Sequence, residues 1–359
     1  MNKEITIKDI ARMAGVSVST VSRVINNKPN VTPLKKSKVQ QAIKESGFQP
    51  SMLARGMISN KTNTLGIIVP DITNAYFTAL ISQIELITRG LNYSLLLFNT
   101  MTAGKQRSND SVSTEIEVFH TIQEKKVDGV IILGGEIDKI KPDQLYIKAL
   151  NQLNEQIPVV IVGQPNSAVT CKFVPRYQEM SGEIITQHLL ASGYQNIGFL
   201  GGEPDVEITD ERLQGYKKMM STYSNLDSKL IYLNDYYVQD GYDGMSELIK
   251  KNLKIDALVT INDQVALGAI RALNDNDLRC PQDIAIGSCD AFPNSAYFTP
   301  RLTTIDHHNI TLAKIAVKYL IQLIEPKGHD SFQSDSPLPE LIIRESCGHK
   351  LKEENNDKS

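Results

Sequence analysis

The sequence predicts a small all-α helix-turn-helix headpiece followed by an α/β body of two doubly wound parallel-sheet lobes. Three observations carry this: a length of 359 residues, a sharp change of charge near residue 61, and a long alternation of apolar runs with amphipathic stretches. At roughly 100 to 200 residues per domain, the chain holds two or three folding units. Residues 1–61 contain 11 Lys and Arg against 3 Asp and Glu, whereas the remainder contains 27 against 38. A basic head on an acidic body is the distribution expected of a nucleic-acid-binding segment. The composition is that of a globular protein, with 41% hydrophobic and 22% charged residues. No apolar run approaches the ~20 residues that a membrane-spanning helix needs. The N-terminal MNKEITIKDI lacks the continuous apolar stretch of a secretory signal, so a cytoplasmic location without membrane contact is expected.

The head reads as three helices. Thr6 is placed to cap a helix carrying Ile7, Ile10 and Ala11, which ends at Gly15, a residue free to take positive φ. Ser17 caps a second helix bearing Val21, Val24 and Ile25. Two short helices joined by a glycine-containing turn, each with apolar positions at helical spacing, make a helix-turn-helix pattern. The other face of the second helix shows Val18, Ser19, Ser22, Arg23 and Asn26, which suit a helix lying in a major groove about 12 Å wide. Val18 competes for a place in the head's own core, but Val21 and Val24 fill that role better. A third helix opens at Thr32-Pro33, carries Lys35, Lys36, Lys38 and Lys44, and closes at Gly47. Beyond Pro50, the stretch Ser51 to Met57 can form at most two helical turns, which is marginal in water. Gly56 costs that turn roughly 1 kcal/mol relative to Ala, so the segment is expected to order only on DNA.

From Thr64 onward, strands are predicted at 64–69, 93–98, 129–133, 158–162, 196–200, 229–233, 256–261 and 283–287, with helices such as Phe77 to Thr88, Met180 to Leu190 and Gln264 to Leu273 between them. This alternation is the signature of parallel βαβ units, and it runs longer than one open sheet normally takes. Ligands in such sheets bind beyond the carboxyl ends of the strands. Polar residues standing there are Asp71, Asn74, Arg212, Asn262, Asp263 and Asp290; Asp263, directly before a helix, is the expected cap rather than a ligand. The glycine pairs Gly134-Gly135 and Gly201-Gly202 follow strands but match no phosphate-binding loop. There is no HExxH, GxSxG or Walker sequence. The four cysteines, at 171, 280, 289 and 347, show no metal-ligand spacing and read as buried free thiols.

The run TIKDIARMAGVSVSTVSRVINNKPNVTPLKKSKVQQAIKESGFQPSMLARGM closely resembles the headpiece of the LacI/GalR (lactose-repressor) family of bacterial transcription regulators, and the resemblance extends over nearly the whole chain. It implies that Val18, Ser19 and Arg23 face base edges, with Arg23 reading a guanine. It places Thr6, Thr20, Ser22, Asn26, Asn30, Thr32 and Lys35 against phosphates, which set register and salt-dependent affinity rather than sequence preference. Leu53, Ala54 and Met57 fall in the family's hinge helix, which pairs across a dimer and wedges the minor groove; Met57 stands where the family has Leu. The body is similar to periplasmic sugar-binding proteins, with the effector between the lobes.

Carried over by motif, the implied effector residues are Asp71, Tyr76 and Phe77 in VPDITNAYF, Arg212 in DERLQGY, Asn262 in NDQVALGA and Asp290 in IGSCDAF. Tyr236 falls where an aromatic stacks on the effector, and His307 is expected at the cleft lip. Carboxylate, amide and guanidinium groups suit the hydroxyls of a sugar. With no Trp in the chain, stacking falls to Tyr or Phe. Two departures from the family are Ser288-Cys289 before Asp290, where Gly-Tyr is usual, and Arg176-Tyr177, where Asp-Asn is common. GQP at 163–165 is similar to the maltose-type regulators.

The expected organisation is a headpiece at 1–49, a hinge at 50–62 and a body at 63–345. The first lobe is set at about 63–162 and 308–332, the second at about 163–307 and 333–345, and a disordered charged tail at 346–359. The expected function is a homodimeric repressor of carbohydrate-utilisation genes on a near-palindromic operator, controlled by a small sugar or sugar phosphate, with neither cofactor, metal nor catalysis. The alternatives are an activator or a regulator with a protein co-repressor, a solute-binding protein, and a glycoside-processing enzyme using Asp71 and Asp290 as an acid/base pair.

Overall fold

The computed structural model describes residues 5–25, 29–48, 61–104, 107–326 and 334–348. Asn26, the hinge residues Leu53, Ala54 and Met57, and most of the expected tail lie outside the described residues. The chain divides between Asn63 and Thr64 into two compact units.

The first unit contains α1 (Ile7–Ala14), α2 (Val18–Ile25) and α3 (Pro33–Ser46). Asp9 fastens the start of α1 by accepting from the Thr6 main-chain N–H at 3.0 Å and from its hydroxyl at 2.6 Å. Gly15 ends the helix at φ 63°, a left-handed conformation that costs glycine nothing. Ser17 Oγ accepts from Thr20 N at the start of α2, and α3 begins with Pro33 after an extended Thr32. Ile10, Ala11, Ala14, Val21, Val24, Val39 and Ala42 form the core of this unit.

The second unit begins with β1 (Thr64–Val69), α4 (Ala75–Gly90), β2 (Ser94–Asn99), α5 (Ser111–Lys125), β3 (Gly129–Ile132), α6 (Gln144–Gln156), β4 (Val159–Val162) and β5 (Lys172–Val174). These strands form a parallel sheet in the order β2-β1-β3-β4-β5. Alternate residues of its strands serve opposite faces. Ile67, Ile131 and Val160 pack under α4 and the later helix α11 (Asn309–Ile324), while Ile68, Ile132 and Ile161 pack under α5 and α6. The sequence-based limit of the first lobe is therefore corrected. Val160, Ile161 and Val162 pair with Lys172, Phe173 and Val174, so the first sheet runs twelve residues past 162.

The second lobe contains α7 (Gln178–Ala191), β6 (Ile197–Leu200), α8 (Glu207–Tyr223), β7 (Ile231–Tyr232), α9 (Val238–Lys250), β8 (Ala257–Thr260), α10 (Asp263–Asp275) and β9 (Ala285–Ser288). Its parallel sheet is ordered β7-β6-β8-β9. A two-stranded antiparallel ribbon, β10 (Thr304–Asp306) with β11 (Glu340–Ile342), lies beside β9 through a Gly287–Thr303 bridge. The chain thus enters the first lobe again at α11 and returns to the second at β11.

Two helix crossings in the second lobe bring main chain against main chain. A Cβ on Gly182 would collide with the Arg212 carbonyl oxygen, and one on Gly215 with that of Glu179, so α7 and α8 touch through glycine on both sides. The same reciprocity joins α9 and α10, where Gly241 faces the Val265 carbonyl and Gly268 that of Val238. The four cysteines are buried and free. No described helix is long and apolar enough to cross a membrane.

Candidate functional site

On the head, Val18 is 41% exposed while Val21 and Val24 are buried, which removes Val18 from the core and puts it on the outer face of α2 with exposed Ser19 and Arg23. Thr6, Asn30, Thr32 and Lys35 are exposed, and Thr20 and Ser22 half-buried. Asn30 sits at φ 72°. The residues assigned to base edges therefore share one open helical face.

In the body, a cavity of about 270 Å³ is lined from both lobes at the carboxyl ends of the strands. Tyr76 and Phe77 come from the first turn of α4, whose start is capped by Asn74 Oδ1 accepting from Tyr76 N at 3.0 Å. Arg176 and Gln178 follow β5, Arg212 lies on α8, and Asp290 follows β9. Over the cavity the lobes meet: Ile140 N donates to the Asp205 carbonyl at 3.0 Å, and Arg107 pairs with Glu203.

The centre of the site is a buried charge triad. Asp290 Oδ2 accepts from Arg212 Nη2 at 2.8 Å and from Arg176 Nη2 at 3.1 Å, with all three side chains at most 5% exposed. Arg212 is otherwise held by Gln178 Oε1, 2.8 Å from its Nε, and by the Ile261 carbonyl. Arg176 stacks over the Tyr76 ring at 4.4 Å. Burial works against the Asp290 carboxylate, but the Arg176 and Arg212 guanidiniums outweigh it and hold the group well below the usual carboxylate range. Among the described residues, Asp290 Oδ1 and Arg176 Nε have no hydrogen-bond partner. An orphaned acceptor and an orphaned donor, both buried at a cavity wall, are what a ligand hydroxyl satisfies.

Not every sequence-assigned residue joins this centre. Tyr236 lines the cavity, and its hydroxyl is 2.6 Å from that of Thr209. Asn262 lines it too, but its side chain is committed: Oδ1 caps α10 by accepting from Val265 N, and Nδ2 donates to the Tyr236 carbonyl. The expected cap, Asp263, instead accepts from Phe292 N at 2.8 Å and from the Thr304 hydroxyl at 2.8 Å, so Asn262 takes the cap and Asp263 ties the loop after β9 and the strand β10 to the start of α10. Asp71 does not line the cavity; Thr73 and the Tyr237 hydroxyl occupy its carboxylate. An acid/base pair of Asp71 with Asp290 is thereby lost. His307 is not at a lip but 3% exposed, with Nε2 3.0 Å from the Cys289 carbonyl. Burial and then Arg176 push its pKa down to about 3, so it is a neutral support behind Asp290.

Sequence reasoning missed Arg176 as a site residue, as well as Gln178, Asp138, Glu207 and Glu211, all on the cavity wall. Glu207 and Glu211 carried a signal in their i,i+4 spacing, which puts both on one face of α8. Burial and the neighbouring Glu207 raise Asp138 to about 7. A raised native pKa means that the folded state holds a proton the unfolded chain has released, so stability present at low pH is lost as pH rises through 7. Asp138→Asn is expected to stabilise the protein more at pH 8 than at pH 5, by roughly 1–3 kcal/mol in urea melts. An equal gain at both pH values would contradict this assignment.

A paired-sheet body with a polar cavity between its lobes, on the same chain as a helix-turn-helix, defines a ligand-binding regulator. Comparison with known proteins is specific. The model for bacterial regulatory proteins of the lacI family matches residues 6–51, and that for a periplasmic binding protein-like domain matches residues 186–347. The transcriptional regulators RegA of Clostridium saccharobutylicum and MalR of Clostridium butyricum are each 31% identical, covering 95% of this chain and 98% of their own. A lac repressor dimer bound to operator and the anti-inducer ONPF has the same fold, with a TM-score of 0.83 at 23% identity over 96% of this chain and 99% of that one. The chain belongs to the lacI family of bacterial regulatory proteins: it is a DNA-binding transcriptional regulator, and not an enzyme.

Proposed function

We propose that the protein is a cytoplasmic, homodimeric repressor of carbohydrate-utilisation genes that binds a near-palindromic operator and is controlled by a small carbohydrate held between its two lobes. The observation that carries the effector class is the pair Asp290 Oδ1 and Arg176 Nε, unpartnered among the described residues, on a cavity wall that Phe77 also lines and where it can meet the C–H face of a sugar ring. Val18, Ser19 and Arg23 read bases, and Thr6, Thr20, Ser22, Asn26, Asn30, Thr32 and Lys35 hold phosphates. Leu53, Ala54 and Met57 form the hinge through which the ligand acts. A maltose-type or other α-glucoside ligand is in keeping with the GQP sequence at 163–165.

Ligand and operator must shift each other's affinity by one common factor, of the usual order of 1–3 kcal/mol. Fluorescence anisotropy on labelled operator, with and without sugars, measures that factor. A DNA affinity unmoved by every sugar that binds the protein would remove the allosteric part. Arg23→Ala is expected to cost roughly 1–3 kcal/mol and relax preference at one base pair. Lys35→Ala should weaken all sequences alike and flatten the salt slope by about one.

A further inference from the structure

The cavity wall carries more negative than positive charge, and the excess is concentrated. Six carboxyl side chains line it against four cationic ones. Glu203 is engaged by Arg107 and Lys139, Asp290 by Arg176 and Arg212, and Glu136 accepts from Asp143 N at 3.0 Å and from the Ser111 hydroxyl at 3.3 Å. Three carboxyls are left: Asp138 from the first lobe, Glu207 and Glu211 from the second. Among the described residues none of the three forms an ion pair, and Glu211 is met only by the Gln164 amide at 2.9 Å. They stand within electrostatic reach of one another, since Glu207 and Glu211 both raise the Asp138 pKa. Arg176 offsets Asp138 and Arg212 offsets Glu211 only in part, since burial and the neighbouring carboxyls still raise both to about 7, and such a buried cluster is costly unless protons or a cation neutralise it.

The described acidic side chains form no group able to hold a metal ion, so the cation that suits these three carboxyls is one carried by a larger ligand. The same cavity wall shows what else that ligand carries. There, Asp290 Oδ1 and Arg176 Nε, both on side chains at least nine-tenths buried, lack partners and suit hydroxyls. We propose that the effector is a carbohydrate bearing a free ammonium group, its hydroxyls at Asp290 and Arg176 and its ammonium between Asp138 of one lobe and Glu207 and Glu211 of the other. This rests on reading the cavity as the effector site and narrows its ligand class. Because the carboxyls belong to opposite lobes, the ammonium draws both lobes together, which ties recognition to closure.

The test uses the full chain and matched pairs of sugars that differ in one group: glucosamine with glucose, galactosamine with galactose, mannosamine with mannose, and the deacetylated chitobiose with cellobiose. Calorimetric titration at pH 7 is expected to show at least one amine binding about tenfold or more tightly than its hydroxyl partner, as a charge-assisted hydrogen bond replaces a neutral one. That preference should vanish in the Asp138→Asn/Glu211→Gln double variant and fall in Glu207→Gln, with each amine losing more affinity than its hydroxyl partner. Thermal melts check that the variants are folded. A panel in which no amine exceeds its partner, or a preference that survives the double variant, overturns the proposal. Operator binding measured in parallel separates the two levels: neutral sugars that release DNA defeat the ammonium assignment alone, whereas a bound amine with DNA affinity unchanged defeats the effector-controlled regulator.

Discussion

Asp290→Ala is expected to destabilise the body by about 3–5 kcal/mol, the usual cost of removing one partner from a buried ion pair. Its Oδ2 is the shared acceptor for Arg176 Nη2 and Arg212 Nη2, so the substitution leaves two guanidiniums facing each other at most 5% exposed. Urea unfolding followed by far-UV circular dichroism suits a chain without Trp. Asp290→Asn keeps the shape and loses the charge, and should fall between the two. A loss below about 1 kcal/mol for alanine would mean that water replaces the carboxylate, and that the triad is not a closed charge cluster. Sugar affinity should fall in both variants.

Gly268→Ala is the second large effect. Its Cβ would meet the Val238 carbonyl in the α9–α10 crossing, where backbone cannot step aside as a side chain can. Forced overpacking of this kind costs typically about 1–3 kcal/mol, and occasionally more. Gly66→Ala is the control, because a Cβ there makes an ordinary 3.5 Å contact with Val130. Differential scanning calorimetry should show a lowered Tm for Gly268→Ala and little change for Gly66→Ala; equal melting would show that the helices slide apart at little cost.

Much of this architecture was written locally. The strands β1, β3, β4, β6, β8 and β9 are apolar runs buried on two faces, and the head declares its helices through Thr6, Gly15, Thr32-Pro33 and Gly47. The strand Lys172–Val174 escaped because it is three residues long, begins with an exposed lysine and lies at a sheet edge. Arg212 and Asp290 were legible from their surrounding motifs. Arg176 was visible only as a departure, because its meaning depends on a partner 114 residues away. Asn262 and Asp263 show the limit most sharply. Either residue suits a helix cap, and the choice is made by Phe292 and Thr304, which offer donors only to Asp263. Asp138 follows a turn created by two glycines at φ 107°, and no local pattern announces where such a turn points.

The glycine contacts that lock α7 to α8 and α9 to α10 leave the second lobe no interior slack. Two helix pairs seated backbone on backbone make a stiff jaw, and the described links that join it to the first lobe lie near residues 175–177 and 307–308. Arg212 rides on one such crossing and Arg176 stands in one such link. Asp290, by accepting from both guanidiniums, thus ties that link to that crossing through one carboxylate oxygen.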